Sequence, residues 1–281
     1  MSELIVGEHR CFDGRLLYCE HTSAVTNCKM RFSLYLPPAA EKRPVPLVTW
    51  LSGLTCTEEN FTAKAGAYGK ASELGLAILA PDTSPRGEDV ADDEGYDMGQ
   101  GAGFYVDATE APWKPHFQMY SYITRELREL VLREFPLDSS RLGIFGHSMG
   151  GHGALTIYLK NQDIYKSVSA YAPIVSPMNC PWGHKALSGY IGDDREGWRQ
   201  YDSCELMKAL GDASSRPEIL VDQGLGDPFL EEQLKPELFD EACAGVGQKL
   251  TLRRHDGYDH GYFFIQTFMD DHLSHHAQLL G

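Results

Sequence analysis

Ser148, Asp227 and His260 are the residues whose types and order could carry chemistry. A serine hydroxyl becomes a nucleophile only when a base takes its proton, and a histidine serves as that base when a carboxylate fixes its tautomer. Ser148 sits in Gly146-His147-Ser148-Met149-Gly150, after the apolar stretch 141–145 and before the helix-compatible run 151–157. Strand, G-x-S-x-G, then helix is the context of a nucleophile elbow, a strained turn that lifts the hydroxyl clear of a sheet. In that arrangement the acid and then the base follow later in the chain, each on a loop after a strand. Asp227 lies in the loop 223–228, which follows an apolar run at 219–222. His260 lies in the loop 256–261, which follows a run at 249–253.

Each assignment has a competitor. Asp222 ends its strand and is expected to be held by the sheet, whereas Asp227 lies in an open loop from which a carboxylate reaches the imidazole. Among the eleven histidines, His255 lies close to a strand end and reads as a packing or surface residue. His147 flanks the nucleophile and is expected to point back into the turn, and His152 lies on the following helix. His272, His275 and His276 include an i, i+4 pair, but no third ligand type accompanies them, so a solvated helix face is expected there. The oxyanion that develops during acyl transfer needs two fixed donors. One is the Met149 N–H; the other falls in the loop 52–57, where Gly53 permits a bend that aims the Leu54 N–H inward. Residues 99–103 imitate a dinucleotide loop without a preceding buried strand or the G-x-G-x-x-G spacing. The acidic run 88–97 lacks calcium-loop spacing and reads as a solvated face.

Loops of this kind need a sheet to hold them. Apolar runs at 47–51, 76–80, 142–145, 167–172, 219–222 and 249–253 alternate with helical patterns at 61–74, 120–134, 149–160, 230–244 and 262–279. That alternation predicts an α/β fold with a mostly parallel central sheet and helices on both faces. Runs at 16–21 and 29–36 predict antiparallel N-terminal strands. The stretches 83–117 and 176–201, rich in Gly, Pro and aromatics, are expected to form long functional loops. With 281 residues and no visible linker, the chain is expected to be one domain over 1–281. A net charge of −15 argues against nucleic acid or an anionic membrane surface as partner. Seven cysteines without a C-x-x-C pair argue for reduced thiols in the cytosol and against a disulfide framework or zinc site. Neither a signal-peptide pattern nor an apolar stretch of ~18 residues, the length of a membrane helix, is present.

The chain resembles the S-formylglutathione hydrolase family, also called esterase D. The likeness runs in order along nearly the full length: Asn27-Cys28-Lys29-Met30, residues 50–58 (WLSGLTCTE), 80–87 (APDTSPRG), 101–109 (GAGFYVDAT), 145–154 (FGHSMGGHGA), 180–183 (CPWG) and 257–260 (GYDH). It implies an α/β-hydrolase fold with Ser148, Asp227 and His260 as the triad and Leu54 and Met149 as oxyanion donors. It implies no cofactor, no metal and a cytosolic homodimer. The implied activity is a serine thioesterase that hydrolyses S-formylglutathione to glutathione and formate in formaldehyde detoxification. A formyl-enzyme intermediate and a side activity on short carboxylesters belong to the same expectation. The other reading of the scaffold is a general short-chain carboxylesterase or acyltransferase. Cys56 falls beside the oxyanion loop and Trp182 is a candidate wall of the substrate groove, with plain packing the competing role for both. Arg86, Lys64 and Lys185 are candidate cations for an anionic leaving group, and His184 stands where many relatives carry lysine.

Overall fold

The computed structural model describes residues 4–281. Nine strands form one sheet: β1 (Ile5–Cys11), β2 (Gly14–Thr22), β3 (Lys29–Leu36), β4 (Val45–Leu51), β5 (Ala77–Pro81), β6 (Leu137–His147), β7 (Tyr165–Tyr171), β8 (Ile219–Gly224) and β9 (Leu250–His255). Their spatial order is β1-β2-β3-β5-β4-β6-β7-β8-β9. β1, β2 and β3 pair antiparallel, and β3 joins β5 antiparallel. From β5 through β9 every neighbouring pair is parallel. β4 (VPLVTWL) and β5 (AILAP) are buried along their whole length, as strands covered on both faces must be. β1 escaped the sequence reading because its residues (IVGEHRC) alternate only weakly, and it forms the half-exposed edge.

The predicted helices form with informative breaks. The run 61–74 is two helices, Glu58–Lys64 and Tyr68–Leu74, because Gly66 between them takes φ +67°. The first opens on a capping box between Thr57 and Asn60. The run 230–244 is likewise interrupted: Lys235 adopts φ 50° and Pro236 starts a new helix, Pro236–Val246. The helix that follows Ser148, Met149–Lys160, has the predicted bounds. The stretch 176–201 is not a long loop. It contains the helix Pro181–Ile191, which starts on Pro181 at its first position, so Trp182 stands in a first helical turn rather than on a loop. The stretch 83–117 does lack long regular elements, yet it threads the core, with Phe104, Tyr105 and Phe117 fully buried.

The C-terminal helix, Tyr262–Leu280, corrects the expectation for its histidines. His272 and His276 are fully buried, and His275 is partly so. His276 bonds Ser167 Oγ at 2.6 Å through Nδ1 and Ser169 Oγ at 3.0 Å through Nε2. His272 reaches Ser169 Oγ at 2.8 Å and Asp222 Oδ2 at 3.2 Å. The i, i+4 pair therefore faces β7, whose two small serines leave room for the rings and satisfy their nitrogens. A helix that reads as polar on that face is hydrogen-bonded into the core instead.

Candidate active site

Four loops meet at the carboxyl ends of the parallel strands. Ser148 follows β6, and its backbone takes φ 58° and ψ −119°, a conformation that side chains rarely adopt. Its N–H donates to the Tyr171 carbonyl at 3.0 Å, and its own carbonyl accepts from His152 N–H at 3.0 Å and Ile174 N–H at 3.2 Å. The flanking glycines are sterically required. A Cβ at Gly150 would stand 1.9 Å from the Leu51 carbonyl oxygen, and one at Gly146 would stand 2.3 Å from the Gly150 oxygen.

Asp227 follows β8 and His260 follows β9. Asp227 Oδ2 lies 2.5 Å from His260 Nδ1. The carboxylate also accepts from Phe229 N–H at 2.8 Å and from Gln223 Nε2 at 3.3 Å. The two loops are bonded to each other: Leu225 N–H donates to the His255 carbonyl at 2.9 Å and Gly226 N–H to the Tyr258 carbonyl at 2.8 Å. Gly224 makes that approach possible, since a Cβ there would lie 2.4 Å from the Tyr258 oxygen.

Asp222, the competing carboxylate, is committed elsewhere. Its oxygens accept from Arg253 Nε and Nη2, both at 2.6 Å, and His255 Nε2 stands 3.2 Å away. Burial alone would raise its carboxyl, but His272 and Arg253 outweigh that effect and hold it below the usual carboxylate range. His255 packs, as expected, with its ring 3.8 Å from that of Phe268.

Leu54 lines a cavity together with Ser148, and Met149 follows Ser148 directly in the chain. No hydrogen bond among the described residues engages either N–H. Gly53 lies so close to Ser148 that a Cβ there would sit 3.1 Å from Ser148 Cβ. The loop is braced from behind. Tyr105 Oη donates to the Ser52 carbonyl at 2.8 Å, and Thr55 N–H donates to the Gly101 carbonyl at 2.9 Å. Arg86 Nη2 donates to the Cys56 carbonyl at 3.0 Å. The Gly-rich segment 99–103, which only imitated a dinucleotide loop, is thus part of that brace.

Ser148 and His260 line one cavity of about 290 Å³, shared with Leu54, Cys56, Trp182 and Tyr262. His147 also lines it, which the sequence reading missed. Its ring does not turn back into the bend but lies 4.3 Å from that of His260, centroid to centroid. Burial, then the nearby His260, pushes its imidazole well below the ordinary range, so it stays neutral. Tyr96 and Phe229 complete the wall: the rings run Tyr96–Trp182 at 6.3 Å, Trp182–Phe229 at 4.8 Å and Phe229–His260 at 5.0 Å. Phe229 was discoverable, two residues beyond Asp227 on the same loop; Tyr96, inside an acidic run, gave no signal. Burial raises the Cys56 thiol, which keeps it protonated.

The candidate cations fare differently. Arg86 Nε is paired with Asp82 at 2.9 Å and serves the brace. Lys185 bonds Asp93 at 3.0 Å and Asp97 at 2.6 Å. Lys64 lies 5.8 Å from the Tyr262 ring centroid. His184 turns away to the Met178 carbonyl at 2.7 Å.

The esterase family model matches residues 23–275. The chain is 52% identical over 277 residues to an S-formylglutathione hydrolase of Mus musculus, with 98% of each chain covered. It is 53% identical over 276 residues to one of Paracoccus denitrificans, again covering 98% of each. The solved S-formylglutathione hydrolase of Agrobacterium tumefaciens superposes with a TM-score of 0.96 at 52% identity, covering 99% of this chain and 100% of that one. The strand order, the elbow and these full-length likenesses agree: the chain belongs to the esterase family in which these S-formylglutathione hydrolases are its relatives.

Proposed function

We propose that this chain hydrolyses S-formylglutathione to glutathione and formate, with Ser148 as nucleophile, His260 as base and Asp227 as its orienting acid. The observation that carries this reading is the convergence of Ser148, on its strained elbow, with the Asp227–His260 pair at one small cavity. His260 takes the Ser148 proton, and the hydroxyl oxygen attacks the formyl carbon. The Leu54 and Met149 N–H groups receive the oxyanion. The carbon–sulfur bond then breaks and glutathione leaves as a thiolate, which accepts the proton from the imidazolium. A thiol of pKa ~8.5 is a good leaving group. Water, deprotonated by the same imidazole, attacks the formyl-serine ester; formate departs and Ser148 regains its proton. Cys56 and Trp182 act as cavity walls, and a protonated thiol at Cys56 leaves the nucleophilic role to Ser148. Short carboxylesters enter the same site as side substrates.

The reading extends to one domain over 1–281, a homodimer and the cytosol. A single nine-stranded sheet supports the first. Exposed Val6 and Phe12 near the β1 edge support the second, for which sedimentation should return twice the chain mass. Seven unpaired cysteines support the third.

Glutathione thioesters of increasing acyl length test the substrate. kcat/KM should be highest for formyl and fall with each added carbon. A preference for longer acyl groups, or for aryl esters over every glutathione thioester, would favour a general carboxylesterase instead. Ser148→Ala should lower kcat by about 10⁵-fold or more while the melting temperature holds.

A further inference from the structure

Tyr262 lines two cavities. One is the active-site cavity; the other is an open cleft of about 640 Å³ formed with Lys64, Asp259, Phe263 and Gln266. Lys64 is exposed and makes no ion pair among the described residues, unlike Arg86 and Lys185. Asp259 is exposed too. Its Oδ1 accepts from Gly261 N–H at 2.8 Å, which leaves Oδ2 open. Phe263, 84% exposed, adds an apolar edge to the cleft. The part of the active-site cavity wall formed by Tyr96 and Trp182 has a different character. Tyr96 belongs to the run 88–97, where Glu88, Asp89, Asp92, Asp93 and Glu94 are all exposed, and Lys185 is already shared between Asp93 and Asp97.

Glutathione carries two carboxylates and one ammonium at neutral pH, a net negative charge. It is repelled by the acidic rim and matched by a cleft that offers one free ammonium and one carboxylate. We infer that the glutathione part of the substrate passes over Tyr262 and seats in the Lys64–Asp259 cleft, a carboxylate on Lys64 and the γ-glutamyl ammonium toward Asp259. This rests on the thioesterase reading above and names where its leaving group is recognised. The reach is adequate: an extended glycyl residue places its carboxylate ~7 Å from the cysteinyl Cα, enough to cross one tyrosine side chain.

The test compares S-formylglutathione with 4-nitrophenyl acetate, which has no peptide to recognise, in Lys64→Ala, Lys64→Glu and Lys64→Arg. In Lys64→Ala the ratio of kcat/KM for the thioester to that for the aryl ester should drop about threefold to fivefold, the scale of one exposed ion pair, mostly through KM. Lys64→Glu should lower it further and Lys64→Arg should restore it, and added salt should narrow the differences. A ratio that stays level in Lys64→Ala and Lys64→Glu overturns the inference. So does an equal fall for both substrates, because Lys64 would then support the site rather than hold the peptide. If the unaltered protein cleaves the aryl ester but not S-formylglutathione, the thioesterase reading itself has failed and the subsite falls with it.

Discussion

Asp227 illustrates how much a single carboxylate depends on where its loop lets it reach. Its two oxygens are engaged by a backbone N–H, a glutamine amide and the His260 ring, so it can neither swing away nor present a different atom to the imidazole. Replacement by asparagine keeps the shape but offers the imidazole an N–H as readily as an oxygen, which favours the wrong tautomer. Asp227→Asn should therefore cut kcat by about 10⁴-fold with little change in melting temperature, as steady-state turnover of a chromogenic ester would measure. Asp227 and Asp222 were separable in the sequence because one lies in an open loop and the other ends a strand. His147 was not: the same G-x-S-x-G pattern fits an imidazole turned back into the bend or laid against His260. Only the arrival of the β9 loop decides between them.

At the scale of elements, β8 and β9 act as a single mount for Asp227 and His260. Asp222 and Arg253 are register partners across these strands, and their side chains pair through two bonds. The Asp222 side chain is fully buried, so losing its charge strands part of a buried network that includes His272. Asp222→Asn should cost about 3 kcal/mol, roughly 6–10 °C in melting temperature for a chain of this size. Its kcat at a temperature well below melting should stay within about tenfold, because the asparagine leaves the Asp227–His260 contact intact. Calorimetry beside a turnover assay reads both. A large loss of turnover in Asp222→Asn with Asp227→Asn active would reverse the assignment of the acid. The strands themselves were legible as apolar runs. Breaks inside the helical runs hang on one residue each, Gly66 and Lys235, whose left-handed backbone a hydrophobic period does not reveal.

The whole molecule keeps several imidazoles neutral in its interior, and that gives it a direction of acid sensitivity. Burial lowers His152 from its ordinary 6.5 to about 4, and it lowers His272, His275 and His276 as well. Between those values the unfolded chain binds more protons than the folded one, so stability is full above about pH 6.5 and drains as pH falls toward 4. His152 alone contributes about 3 kcal/mol across that interval. Burial raises Asp82 and Asp202, and these carboxyls offset part of the loss by favouring the folded state at low pH. The melting temperature should decline steadily from pH 7 to pH 4.5, and His152→Gln should flatten the slope. A level or rising trend in differential scanning calorimetry would contradict this account.

The sequence by itself determined the α/β layout, the strained turn at Ser148 and the placing of Asp227 and then His260 on successive strand-end loops. Those follow from local periodicity and from steric rules that act within a few residues. Tertiary structure alone decided that the C-terminal histidines turn inward, that Trp182 rises from a helix and that Arg86 and Lys185 are neutralised by neighbours. Each of those outcomes depends on what stands opposite a side chain in space. A polar group finds its partner across the fold, and no spacing along one chain records which partner will be there.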